Sequence, residues 1–319
     1  MDKKYIPRFR QFVAYMRHHK LLTLCSILVI GLGCRSHYPL ANKPFAVHTT
    51  ATSLERGKNL TYNVCGQCHY DYKGTRKFTG RKIEELPKIL GTIYSADLTN
   101  NGILKTYTDE QLVYLLKTGI SNKGTFIPYM IRPTMADKDL NDIVAYLRSG
   151  DEPLKSNQPT ANRTHITGIG KLGMKMTGKP TPYISPITGP DENDPVAYGR
   201  YLVDIFACYH CHSKGIGGLD YVHPEQSKGY MAGGMKFKMP DYKVRASNLT
   251  PCESTGIGTY TKADFRKALH EKIAKDGRVL KEPMPKFPQM TDKQADAIYA
   301  YLMSLPRKYH HIKGHQFYK

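Results

Sequence analysis

Apolar residues recur four positions apart in two similar segments. Asp142-Ile143-Val144-Ala145-Tyr146-Leu147 places Ile143 and Leu147 on one face, and Ala297-Ile298-Tyr299-Ala300-Tyr301-Leu302 does the same with Ile298 and Leu302. This is the spacing of an amphipathic helix. Helix starts are legible nearby. Thr108 with Gln111, and Thr291 with Gln294, fit the capping box, in which hydroxyl and amide satisfy free backbone N–H groups. Ala136 stands where Thr291 does, so a weaker cap is expected there. Gly57 and Gly199 fall in short opening helices, where a missing side chain lets another helix approach closely. Alternating runs are too short to predict a substantial sheet. The pattern predicts an all-α fold.

The same pattern is written twice. Segment 53–149 reappears as 196–305. Leu54-Glu55-Arg56-Gly57-Lys58-Asn59-Leu60 precedes Cys65 as Ala197-Tyr198-Gly199-Arg200-Tyr201-Leu202 precedes Cys208. Tyr94-Ser95-Ala96-Asp97-Leu98-Thr99 matches Arg245-Ala246-Ser247-Asn248-Leu249-Thr250. Thr106-Tyr107-Thr108-Asp109 matches Thr259-Tyr260-Thr261-Lys262. Two copies at this long period predict tandem domains at 53–149 and 196–306. Residues 150–195, rich in Pro, Gly, Thr and Lys, read as a linker, and 307–319 as a basic tail. Each copy is mostly helical, with a core small enough to need something else to fill it.

The beginning of the chain reads as an address. Lys3, Lys4, Arg8, Arg10, Arg17 and Lys20 precede the short apolar run Leu21 to Gly33. A basic stretch followed by such a run predicts an export signal or a retained N-terminal anchor over 1–33, with a tether over 34–52. The run is short for a membrane span. Gly33-Cys34 at its end is similar to a lipoprotein cleavage site, which makes Cys34 the candidate for acylation. The expected location is outside the cytoplasm, in the periplasm and tethered to its membrane.

Composition narrows the classes. The chain has 319 residues, 47 Lys+Arg against 27 Asp+Glu, and a net charge of +20. Charged and apolar content is ordinary for a folded protein, and no apolar run suits a polytopic membrane protein. The charge fits acidic redox partner proteins or an anionic membrane surface. No basic–aromatic recognition motif points to nucleic acid, and export argues against it. Seven cysteines are too few for a disulfide scaffold at this length.

The cysteine spacing carries the chemistry. Cys65-Gly66-Gln67-Cys68-His69 and Cys208-Tyr209-His210-Cys211-His212 both fit the attachment pattern of c-type haem. Thiols at i and i+3 reach the two vinyl groups of one haem, and the next histidine projects onto the iron. A redox dithiol would leave the histidine incidental. One zinc site built from both pairs is a poor fit across more than a hundred residues. Two covalently attached haem c groups are expected, held by Cys65, Cys68 and His69, and by Cys208, Cys211 and His212.

The sixth iron ligand is expected from a Met-bearing, Pro-containing loop before each closing helix. Met130 and Met284 lie in these loops, one residue out of register with each other. Met135 and Met290 abut the helix starts and read more simply as core. The candidate iron ligands are therefore His69 with Met130, and His212 with Met284. Met231, Met235 and Met239 read as packing, as do Tyr107, Tyr146, Tyr260 and Tyr301. His165, His223 and His270 read as surface or packing histidines, and Cys252 as inert.

With these motifs, Ser247-Asn248-Leu249-Thr250-Pro251, Thr255-Gly256-Ile257-Gly258 and Met284-Pro285, the sequence resembles bacterial di-haem cytochromes c. It also resembles the cytochrome c subunits of membrane-bound alcohol and gluconate dehydrogenases. The resemblance covers nearly all of 53–305. It implies tandem cytochrome c-like domains, an Asn-Leu-Thr-Pro loop at the haem edge, and the methionine before proline as axial ligand. There are departures. Those dehydrogenase subunits usually carry three haems where this chain has two motifs. Cys252 stands where the family has Asp, and the first copy lacks the proline after Thr99.

With His and Met both bound, iron has no open site, so an electron carrier is expected rather than an enzyme. Electrons would pass from a periplasmic or membrane-bound donor, such as a dehydrogenase or quinol-oxidising complex, to a terminal oxidase or reductase. The alternative is a di-haem cytochrome c peroxidase-like enzyme, which needs one releasable distal side.

Overall fold

The structure is a computed structural model, and it describes residues 37–158, 163–176, 179–312 and 316–318. The export-signal and Cys34 expectations lie outside the described residues. Leu40–Lys319 form one compact unit. It is mostly α-helical, and no helix among the described residues is long and apolar enough to cross a membrane.

In chain order the helices are α1 (Ala51–Leu60), α2 (Gly66–His69), α3 (Asp109–Thr118), α4 (Asp137–Leu147), α5 (Gly168–Met176), α6 (Pro195–Ile205), α7 (Cys208–His212), α8 (Lys262–His270) and α9 (Asp292–Ser304). The strands are β1 (Gly91–Thr92), β2 (His165–Ile166), β3 (Lys236–Lys238), β4 (Tyr242–Arg245) and β5 (Gln316–Tyr318). β1 pairs antiparallel with β2, and β3-β4-β5 form a small antiparallel sheet. The alternating runs are too short to announce these strands, and backbone pairing with distant segments makes them.

Two helix crossings build the core. α1 packs on α4, and α6 packs on α9. Glycine permits both. A Cβ on Gly57 would overlap the Asp142 carbonyl and stand 2.9 Å from Tyr146 Cβ. A Cβ on Gly199 would overlap the Ala297 carbonyl and stand 2.9 Å from Tyr301 Cβ. The capping boxes at Thr108–Gln111 and Thr291–Gln294 are both formed, and Thr50–Ser53 and Thr261–Asp264 add two more. Ala136 provides no side-chain cap to α4.

The segment after each closing helix folds back over its own half. Phe78 donates to the Pro153 carbonyl (2.9 Å), and Asn100 donates to that of Leu154 (2.8 Å). In the second half Asn248 donates to the Lys308 carbonyl (2.8 Å), and Lys308 Nζ donates to the Tyr230 carbonyl (3.0 Å). Residues 151–156 and 307–310 therefore satisfy loop backbone of the half they follow. Farther along, β2 ties the linker to β1. Lys117, fully buried, holds it again by donating to Asp137 and to the Ile184 carbonyl, both at 2.7 Å.

Arg56 pairs within the first half with Asp139 (2.5 Å) and Asp142 (3.0 Å), and with Glu192 of the linker (2.9 Å). The two halves are joined by other polar contacts. Gln294 donates to Asn59 at 2.8 Å, Arg132 Nε to the Ile205 carbonyl at 2.8 Å, and the Tyr201 hydroxyl to Asp139 at 2.6 Å.

Candidate functional site

The chain enters its two motifs differently. α1 runs through a π-helical turn, Thr61–Cys65, into α2. α6 ends at Ile205, and Ala207, in the left-handed region at φ +56°, breaks it from α7. Both routes deliver the same arrangement. Cys65 and Cys68 stand one helical turn apart, as do Cys208 and Cys211, and all four are half-buried free thiols. Burial pushes the pKa of Cys65, Cys208 and Cys211 up to about 12 and raises that of Cys68.

The histidines are oriented identically. His69 Nδ1 donates to the Ala96 carbonyl at 2.7 Å, and His212 Nδ1 donates to that of Ser247 at 2.8 Å. A carbonyl only accepts, so Nδ1 carries the proton and Nε2 keeps the lone pair. Both rings are buried, and desolvation lowers both pKa values, which keeps the imidazoles neutral. Ala96 and Ser247 occupy matching places in the repeated Asp97-Leu98-Thr99 and Asn248-Leu249-Thr250 loops. Each loop is internally fastened: Thr99 N–H donates to Asp97 (2.7 Å) and Thr250 N–H to Asn248 (2.9 Å). The motif's own carbonyl closes each ring of contacts, His69 accepting from Gly80 (2.9 Å) and His212 from Gly233 (2.8 Å). Both glycines have positive φ and would overlap backbone if given a side chain.

The methionines separate into two kinds. Met135 and Met290 are buried in the core. Met130 and Met284 are half-buried and border that core. Met130 N–H donates to the Ile127 carbonyl and Met284 N–H to that of Lys281, each at 3.1 Å. The two therefore occupy equivalent turns. The residue of difference expected from the sequence is absorbed between Met284 and Met290. Met231 is fully buried, and its carbonyl accepts from Leu249 as Phe78 accepts from Leu98, so it packs where Phe78 does.

Cys252 is buried. Ser254 and Thr255 hydroxyls lie 3.4 and 3.3 Å from its sulfur and hold its pKa down at about 7. His165 and His223 are exposed, and His270 lies 3.6 Å from Asp292. Sequence reasoning missed the carbonyl anchors at Ala96 and Ser247 and the inter-half contacts of Arg132 and Tyr201. The repeated loops held the first signal, and nothing local marks the second.

Covalent haem needs paired thiols one turn apart, a neutral imidazole with a free Nε2, and apolar surroundings. Both motifs meet these requirements.

Residues 54–151 match the cytochrome c family, so this segment is a cytochrome c domain, which implies covalently bound haem c. The chain is 27% identical over 304 residues to the fructose dehydrogenase cytochrome subunit of Gluconobacter japonicus, covering 88% of this chain and 58% of that protein. It is 36% identical over 110 residues to the cytochrome c subunit of the quinone alcohol dehydrogenase of Gluconacetobacter polyoxogenes, covering 34% of this chain and 21% of that one. To the gluconate 2-dehydrogenase cytochrome c subunit of Pantoea cypripedii it is 34% identical over 110 residues, covering 34% and 22%. The chain thus spans little more than half, or about a fifth, of these relatives' lengths.

Proposed function

We propose that the chain is an exported di-haem cytochrome c that carries electrons from a dehydrogenase to an acceptor such as a terminal oxidase or reductase. The observation that carries this reading is the matched pair of buried, carbonyl-anchored histidines, each directly following two free thiols. Cys65 and Cys68, and Cys208 and Cys211, would form the thioethers. His69 and Met130 would hold one iron, and His212 and Met284 the other. Haem c supplies one-electron chemistry when bound.

The protein's residues set the conditions for that chemistry. The Ala96 and Ser247 carbonyls fix each imidazole's tautomer and aim Nε2. Met130 and Met284 border the core from equivalent turns, so both sides of each iron would be taken and no site left for substrate. This favours a carrier over the peroxidase-like alternative, as does similarity to dehydrogenase cytochrome subunits. The net charge of +20 favours docking to acidic partners, with rates that fall as salt rises. The tandem-domain reading, 53–149 and 196–306, is supported by the repeated hydrogen bonds. Periplasmic export and a membrane tether rest on the N-terminal sequence with Cys34.

The test is stopped-flow mixing of the reduced holoprotein with a terminal oxidase, and of the oxidised form with the catalytic subunit of a sugar or alcohol dehydrogenase plus its substrate. Salt-sensitive transfer in both directions is expected. Hydrogen peroxide turnover without such transfer would overturn the reading.

A further inference from the structure

We infer that Arg132 is a cation shared by the two haems, placed so that it favours the reduced state of both. The inference rests on the di-haem reading above and deepens it. Arg132 follows the Met130 turn. Its Nη1 donates to the carbonyls of Tyr129 (3.2 Å) and Ile131 (2.7 Å), and its Nε donates to that of Ile205 (2.8 Å). Ile205 ends α6, three residues before Cys208. The guanidinium thus fastens the methionine loop of one half to the backbone that leads into the motif of the other.

A second contact narrows the same zone. Gln67, inside the first motif, reaches the Phe206 carbonyl at 3.4 Å, two residues before Cys208. The two attachment motifs therefore approach one another, with Arg132 beside both. Arg132 and Gln67 thus hold the neighbouring carbonyls of Ile205 and Phe206.

Arg81 also reaches the first motif, donating to the Gln67 carbonyl at 3.0 Å, but it is paired with Glu85 at 2.9 Å. Among the described residues no carboxylate forms an ion pair with Arg132, whose three hydrogen-bond partners are all carbonyls. Oxidising a haem adds one positive charge, and a fixed cation nearby opposes it. A unit charge at a separation on the order of 10 Å and an effective dielectric near 20 changes a reduction equilibrium on the order of tenfold. A shared cation acts on both haems with one sign.

The test uses the full-length holoprotein, its haem counted first and both midpoint potentials then measured by spectroelectrochemical titration. Arg132→Gln keeps a donor for the Ile205 carbonyl and removes the charge. Both potentials are expected to fall, each by roughly tenfold in equilibrium, which is about 59 mV for a one-electron couple. Arg132→Lys is expected to bring both back toward wild type. If Arg132→Gln does not accumulate, Arg132→Met, which also removes the charge, decides, and a fall of both potentials supports the inference. Two haems whose potentials do not move, a shift confined to one haem, or a lysine variant as low as the glutamine variant would overturn it. A wild-type chain with fewer than two haems would instead overturn the di-haem reading and this inference with it.

Discussion

The Tyr201 hydroxyl on α6 donates to the Asp139 carboxylate on α4 at 2.6 Å. The same hydroxyl accepts from the Ala136 N–H at 3.1 Å, the bond that the N3 side chain makes in a capping box. Burial and the neighbouring carboxylate raise the Tyr201 pKa well above its ordinary value, so the donor stays protonated. Tyr201→Phe leaves a backbone N–H unpaired and removes a donor from a buried carboxylate. A loss of about 1–3 kcal/mol is expected, seen as a lower thermal midpoint of the holoprotein. An unchanged midpoint would show that this contact does not join the halves.

The helix crossings make a sharper demand. Gly57→Ala and Gly199→Ala each drive a methyl group into a backbone carbonyl of the facing helix. Each should cost at least about 3 kcal/mol or prevent accumulation of holoprotein. Gly168→Ala, with nothing within 4 Å of the added methyl, should be neutral. Equal behaviour of the three variants in a thermal melt would contradict the close crossings.

Axial ligation separates the methionines. Met130→Ala and Met284→Ala should each remove part of the far-red absorption band of Met-ligated ferric haem. Met135→Ala and Met290→Ala should leave that band intact and destabilise the fold by about 2–5 kcal/mol. A band lost in the second pair and kept in the first would reverse the assignment.

Asp204 gives a pH dependence of defined sign. Burial raises its pKa from 3.8 to about 7, with Arg200 opposing and Glu225 assisting, and its Oδ1 is buried without a partner. Between pH 3.8 and 7 the folded chain therefore holds a proton that the unfolded chain has released. Stability from this group falls as pH rises through that window. Asp204→Asn removes the effect. The variant should gain on wild type by about 1.4 kcal/mol per pH unit, up to about 4 kcal/mol in all. Denaturation at pH 4 and pH 7.5 checks this, and a constant difference would sink it.

Much of the site was legible because its chemistry is local. A thiol pair one turn apart and the next histidine are neighbours in the chain, so their spacing is their geometry. Gly57, Gly199 and the two predicted capping boxes were legible for the same reason. What escaped sequence reasoning is set by long-range partners. The Ala96 and Ser247 carbonyls lie 27 and 35 residues from the histidines they orient. The Tyr201 hydroxyl accepts the N–H of a helix's N-cap residue 65 positions away. The equivalence of Met130 and Met284 emerged only from backbone hydrogen bonds, because an inserted residue hid it in the alignment of the repeats. The short strands depend on pairing such as β1 with β2, which no local pattern encodes.

The central claim is two haem sites on one chain, and covalent stoichiometry tests it most directly. Intact-protein mass and pyridine haemochrome titration of the purified holoprotein should give two haem c groups per chain. Cys65→Ala/Cys68→Ala and Cys208→Ala/Cys211→Ala should each reduce the count to one. A single haem in the wild type, or a count unchanged when either cysteine pair is removed, would contradict it.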